Sequence, residues 1–171
     1  CDDAAATIPS TFGPENDAPT RETFDPSRPG AVVARYRPAS LEQVRGAVDS
    51  AHLDQGNWRQ TTHQHRHQIL RRAAQGLRQR RGDLIGAMVA EAGKTVAEAD
   101  PEISEAIDFC EFYPLTMDHW QTHTQIESNP RGVVAVITPW NFPLAIPCGG
   151  IAAALAAGNH VILKPSAETV L

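Results

Sequence analysis

The chain is 171 residues long and carries 20 acidic against 15 basic residues, a net charge of −5 with histidine neutral. That balance argues against a nucleic-acid or anionic-membrane partner, and a hydrophobic content of 42% is ordinary for a globular fold. The longest apolar run, 133–157, is broken by prolines, an asparagine and glycines, so it lacks the purity of a membrane span; the acidic N-terminus lacks the apolar core of a secretory signal.

Residues 1–22 are rich in Pro, Asp, Ala and Thr and read as a mobile arm or linker. Phe24 to Gly30 is turn chemistry, and 31–36 is a short strand. Ser40 with Gln43 three residues on marks the start of a helix that runs to about Leu53. A second helix is expected over 58–81, with Ile69, Leu70, Ala73, Ala74 and Leu77 as its buried stripe. Asp83 starts a third helix ending at Gly93, and a long fourth one runs from Thr95 to about Trp120. Pro101 in its first part implies a kink or a fresh start at Asp100-Pro101. Gln125 to Glu127 alternates weakly, as a strand pairing with the one after Arg131 would.

Residues 131–168 form one strand–helix–strand unit. Val133 to Ile137 is a β-branched run suited to a buried strand, and Pro139 and Pro143 flank Trp140, Asn141 and Phe142. Leu144 to Ala157 is an alanine-rich helix that must be covered on most sides, Gly158-Asn159 is a left-handed stop, and His160 to Leu163 is a second buried strand. Two parallel strands joined by a helix bind ligands beyond their carboxyl ends. Asn141 and Lys164 are the unusual polar residues at those ends.

Other signals point to less. Ala92-Gly93-Lys94-Thr95 imitates the end of a phosphate-binding loop, but Met88 stands where its first glycine should be. No G-x-G-x-x-G follows the strand ending at Ile137. His63 and His67 share a helix face without a suitably spaced carboxylate, so a solvated face is expected and no metal site. The arginines from Arg59 to Arg81 are expected to solvate the outer side of the second helix, or to pair with acids outside the chain. Cys1, Cys110 and Cys148 show no paired spacing, which suggests neither a disulfide framework nor a zinc motif and a reducing cytosol as the default. Cys148 reads as a buried, inert thiol.

ITPWNFPL, AALAAGN and VILKPS, in this order and spacing, resemble the aldehyde dehydrogenase superfamily, with a weaker upstream match at Glu91-Ala92-Gly93-Lys94 followed by Glu98-Ala99. The segment from Glu98 to Phe109 looks most like the branch that oxidises L-glutamate-γ-semialdehyde (the 1-pyrroline-5-carboxylate dehydrogenases), sometimes fused behind a proline dehydrogenase. The resemblance implies an α/β fold: helices followed by the first βαβ of a Rossmann-like parallel sheet, as the incomplete N-terminal part of an aldehyde dehydrogenase. Residues 23–171 would belong to the NAD(P)-binding domain, with an oligomerisation strand near 123–129. The nucleophilic cysteine and general-base glutamate would lie outside this chain, which alone would be inactive.

It also implies roles. Asn141 would be the oxyanion donor; the residues by themselves leave a helix cap equally open. Ile137, Thr138, Pro139 and Trp140 would line the nicotinamide side of the cofactor groove, core packing being the other reading of Trp140. Lys164, with Ser166, would meet the adenosine ribose. Many relatives carry a glutamate three positions after this lysine; here Ala167 stands there and Glu168 follows, so the expected cofactor is NAD with NADP not excluded. Glu105 would pair with the ammonium of an amino-acid aldehyde and Phe142 would wall its aliphatic chain, a solvated Glu105 being equally open. The function implied is a cytoplasmic oxidoreductase of proline catabolism acting on a small aldehyde, homo-oligomeric at full length. A generic aliphatic aldehyde dehydrogenase and a catalytically silent binding homologue are the alternatives.

Overall fold

The computed structural model describes residues 5–7, 16–123, 125 and 127–171. In chain order they form β1 (Ala6–Thr7), β2 (Arg21–Phe24), β3 (Val32–Tyr36), α1 (Leu41–Leu53), α2 (His63–Gln79), α3 (Arg81–Ala92), α4 (Val96–Gln121), β4 (Val133–Ile137), α5 (Ala145–Ala156) and β5 (His160–Lys164). One sheet has the order β1-β3-β2, with β1 parallel and β2 antiparallel to β3; the other is the parallel pair β4-β5. Parts of the segment expected to be a free arm are therefore strand: 6–7, and 21–22 at the start of β2. Residues 16–20 have no helix or strand, and 1–4 and 8–15 lie outside the described residues. So do Thr124 and Ile126, on which the strand near 123–129 depends; 127–129 have no regular structure.

Helix starts follow local capping. Ser40 and Gln43, and Thr95 and Glu98, each form a complete capping box. The expected 58–81 helix is instead a 3₁₀ turn, Trp58–Gln60, followed by α2. The carboxylate of Asp54 accepts from Trp58 N at 2.7 Å and Arg59 N at 3.2 Å and fixes that turn, while Thr62 caps α2 afresh. Helix α4 runs through Pro101, so no fresh start occurs there.

The core centres on α4, which packs against α2, α3 and α5. Leu70 and Ala74 of α2, Met88 of α3, Ala99, Ile103, Ile107 and Cys110 of α4, and Ala152 and Ala156 of α5 close around one another. Small residues allow the helix axes to approach. The Gly149-Gly150 pair shows how closely: a Cβ on the first would sit 3.0 Å from the Phe109 ring, and on the second 2.9 Å from Val136. All of α5 except Ile146 is buried or half-buried, whereas β4 and β5 are only partly covered and leave Ile137 and Leu163 exposed. Ala73 faces solvent, and the buried stripe of α2 is Arg66, Leu70 and Ala74.

The arginines do more than solvate. Arg66 is buried and donates from Nε to Ala156 O at 3.1 Å and from Nη1 to Thr61 O at 2.8 Å, tying the end of α5 to the approach of α2. Arg78 pairs with Glu111 at 2.9 Å and Arg81 with Asp100 at 2.6 Å, so their acids come from α4 of this same chain. His63 and His67 likewise face α4: both Nδ1 atoms bond Asp118, at 2.6 and 2.7 Å. The carboxylate missing from the local sequence is supplied across the helix pair. Among the described residues no cluster of three or more His, Cys, Asp or Glu could hold a metal, and no helix is long and apolar enough to cross a membrane.

Replacing Arg66 by Met keeps the bulk and removes both carbonyl contacts. The expected outcome is a loss of about 2 kcal/mol or more, since hydrogen bonds to a charged group contribute about 1.5–3 kcal/mol. It reads as a lower urea midpoint at unchanged slope.

Candidate active site

The carboxyl ends of β4 and β5 finish side by side. Ile137 pairs with Lys164, and Thr138 N donates to Lys164 O at 3.3 Å. Thr138 is buried, but Pro139, Trp140, Asn141 and Phe142 are exposed, and Ile137 and Trp140 present 73% and 55% of their surface. The ends thus form an apolar ledge. Lys164 is exposed at its edge, and its ammonium donates to no group among the described residues. Ser166, expected to meet a ligand, is buried; its hydroxyl donates to the carboxylate of Glu168. That hydrogen bond is the main reason the Glu168 carboxyl lies below its usual range, with the charge of Lys164 a smaller contribution. Ser166 therefore shapes the turn after β5.

The segment between β4 and α5 is held from α4. Glu102, 2% exposed, accepts with Oε1 from Leu144 N at 2.8 Å and Ala145 N at 3.0 Å, and with Oε2 from the ammonium of Lys94. Lys94 also donates to Asn141 O at 3.0 Å and sits 4.2 Å from the centre of the Phe142 ring. Asn141 thus does not cap α5: that helix has no cap from its own N-cap side chain, and Glu102 takes its leading N–H groups. The Asn141 side-chain amide makes no hydrogen bond among the described residues. Glu102 escaped the sequence reading. The available signal was a carboxylate inside the buried stripe Ala99, Glu102, Ile103, Ala106, Ile107, Cys110.

The Glu91–Lys94 run acts at two points. Buried Glu91 accepts from Thr23 Oγ1 at 2.8 Å and from the backbone of Val170 and Leu171 at 3.0 and 2.9 Å, joining β2 to the chain after β5. Gly93, at φ +66°, turns the chain so that Lys94 reaches Glu102. Glu105 lies on the exposed side of α4 with no hydrogen bond among the described residues, and Phe142 is 40% exposed. Cys148, half-buried, lies 3.4 Å from Cys110 sulfur to sulfur, and its thiol meets Ala106 O at 3.3 Å. The spacing of the cysteines did not predict that pair. The Cys110 sulfur and burial together push the Cys148 thiol far above its ordinary range, so it is no thiolate.

The aldehyde dehydrogenase family model matches residues 13–171. The chain is 39% identical over 165 residues to the bifunctional protein PutA of Klebsiella aerogenes, covering 96% of this chain and 12% of that protein. It is 38% identical over 157 residues to the α-ketoglutarate semialdehyde dehydrogenase of Haloferax volcanii, covering 86% of this chain and 33% of that one. The solved structure of 1-pyrroline-5-carboxylate dehydrogenase from Thermus with bound NAD superposes with a TM-score of 0.88 at 30% identity, over 96% of this chain and 34% of that one. The chain therefore spans between 12% and 34% of the length of these relatives.

The state of Cys148 gives a direct expectation. Iodoacetamide at pH 8 should alkylate it far more slowly in the native protein than in urea, where its neighbours are gone. Peptide mass mapping over time measures this; equal rates in both states would mean that the thiol is free.

Proposed function

The chain belongs to the aldehyde dehydrogenase family, and from that premise we propose that it is the part of an NAD(P)-dependent enzyme that carries the oxyanion donor and one wall of the cofactor site, in an oxidation of glutamate semialdehyde to glutamate. The observation that carries this reading is Asn141: exposed just beyond the end of β4, relieved of capping by Glu102, its amide without a hydrogen bond among the described residues. Nucleophilic addition to an aldehyde places negative charge on the carbonyl oxygen. A neutral, fixed amide donor stabilises that charge without needing to titrate.

A nicotinamide dinucleotide fits the residues present. The ledge of Ile137 and Trp140 offers a flat apolar surface, and the exposed ammonium of Lys164 offers a donor to ribose hydroxyls at the adjoining strand end. When bound, the dinucleotide accepts the hydride that leaves the aldehyde carbon. Ala167 places no carboxylate three positions after Lys164, so the only acidic charge at this turn is that of Glu168, one position on, which accepts from Ser166 and stays ionised. Cys148 is not the nucleophile, because its proton is held and its sulfur faces Cys110.

For the substrate, an exposed Glu105 supplies a carboxylate for an ammonium group, and Phe142 an apolar wall for the carbon chain. The likeness to the Thermus 1-pyrroline-5-carboxylate dehydrogenase supports this choice. The likeness to α-ketoglutarate semialdehyde dehydrogenase favours a second reading, in which the aldehyde carries no ammonium.

In the full-length enzyme, Asn141→Ala should lower kcat by about a hundredfold to a thousandfold, the usual loss for one oxyanion donor, with little change in dinucleotide Kd. Near-normal turnover would remove Asn141 from the reaction. Glu105→Gln should depress kcat/KM for glutamate semialdehyde by about one to three orders of magnitude, as loss of one partner of a partly desolvated charge pair does. Propanal should be nearly unaffected. An equal loss on both aldehydes, or none on either, would favour a substrate without the ammonium.

A further inference from the structure

The buried pair of Glu102 and Lys94 lies next to the candidate oxyanion donor. Its side chains are 1% and 11% exposed. A buried ion pair loses hydration on both partners and gives little net stability over an apolar pair of the same volume. Capping α5 does not require it either, since a serine or aspartate at the helix start would do. What the pair does achieve is orientation. It reaches the 141–145 backbone at two places: Lys94 Nζ on Asn141 O, and Glu102 Oε1 on the N–H groups of Leu144 and Ala145. The bond between Glu102 and Lys94 joins the two holds. The Phe142 ring, 4.2 Å from the ammonium, lies between them in sequence.

We propose that Glu102 and Lys94 are positioning residues that fix Asn141 at the oxyanion position by clamping its backbone to α4; this rests on the oxyanion reading above. Among the described residues the Asn141 side chain makes no hydrogen bond, so its backbone sets where the amide points. Glu102 also occupies the leading N–H groups of α5, which otherwise would offer rival donors and draw the oxyanion toward the helix. The clamp therefore selects the side-chain amide as the donor and holds it in place. Misplacing a reacting or stabilising group by about 1 Å costs on the order of a hundredfold in rate.

The test is a double-mutant cycle in the full-length enzyme with Glu102→Gln and Lys94→Met, each alone and each combined with Asn141→Ala. Either single clamp variant should lower kcat about tenfold to a hundredfold, while the aldehyde KM and the dinucleotide Kd stay within about twofold. Lys94→Arg, which keeps the charge, should recover most of the rate. In the Asn141→Ala background the clamp variants should add almost no further loss of kcat, though their lower urea midpoints should persist. Full additivity in kcat, or normal kcat in both single variants, would overturn the clamp while leaving Asn141 as the donor. Normal turnover by Asn141→Ala would overturn the oxyanion reading and the clamp with it. If Glu102→Gln does not fold, the Lys94→Met cycle decides alone.

Discussion

The contact between buried Glu102 and the start of α5 is the constraint on which the site depends. A helix of mostly small apolar residues has no side chain of its own to satisfy its leading N–H groups, and here no local cap is present. The charge that satisfies them comes from another helix, and Lys94 neutralises it. Three elements are thereby fixed to one another: the end of α3, the second turn of α4 and the start of α5. The exposed segment from Pro139 to Phe142 hangs between this anchor and the end of β4. Its position is determined at both ends although its side chains face solvent.

The same logic of charge supplied from a distance recurs around α4. Asp118 receives His63 and His67 of α2, and Glu111 and Asp100 receive Arg78 and Arg81. Desolvation works against the Asp118 carboxylate, yet the two imidazoles still hold its carboxyl below the ordinary range. Buried Arg66 takes the last carbonyl of α5, that of Ala156, so that helix is tied at its start by an acid and at its end by a base, matching the sign of its dipole. Between those ties its small residues permit close approach to α4 and to β4, which sets the distance from the strand ends to Glu102 and Glu105.

The first sheet also serves the site. Tyr36 of β3 donates its hydroxyl to Ala167 O at 3.2 Å, and Glu91 binds both Thr23 of β2 and the backbone at 170–171. The turn that follows Lys164 is thus moored to elements from the opposite end of the chain. Ser166 and Glu168 complete it locally, which is why a residue expected to face a ligand is turned inward. The ledge of Ile137, Trp140 and Lys164 stays open because none of these contacts crosses it.

Sequence alone determined whatever depends on neighbours within a few positions. The capping boxes at Ser40 and Thr95, the left-handed Gly158, the alternation of strand and apolar helix over 133–164 and the placement of Asn141 and Lys164 at strand ends all follow from local backbone chemistry. The three motifs that resemble the family lie in that same stretch. Only the tertiary structure decided the partners of the charged and sulfur-bearing groups. Glu102 finds its helix start 42 residues away, His63 its carboxylate at 55, Cys148 its neighbour at 38 and Arg66 its carbonyl at 90. A polar group that is buried must find a partner. Local periodicity outlines the apolar faces; which polar groups are buried with them, and which partner each one finds, depends on how the helices pack, and packing is settled by small residues that allow close approach at many angles.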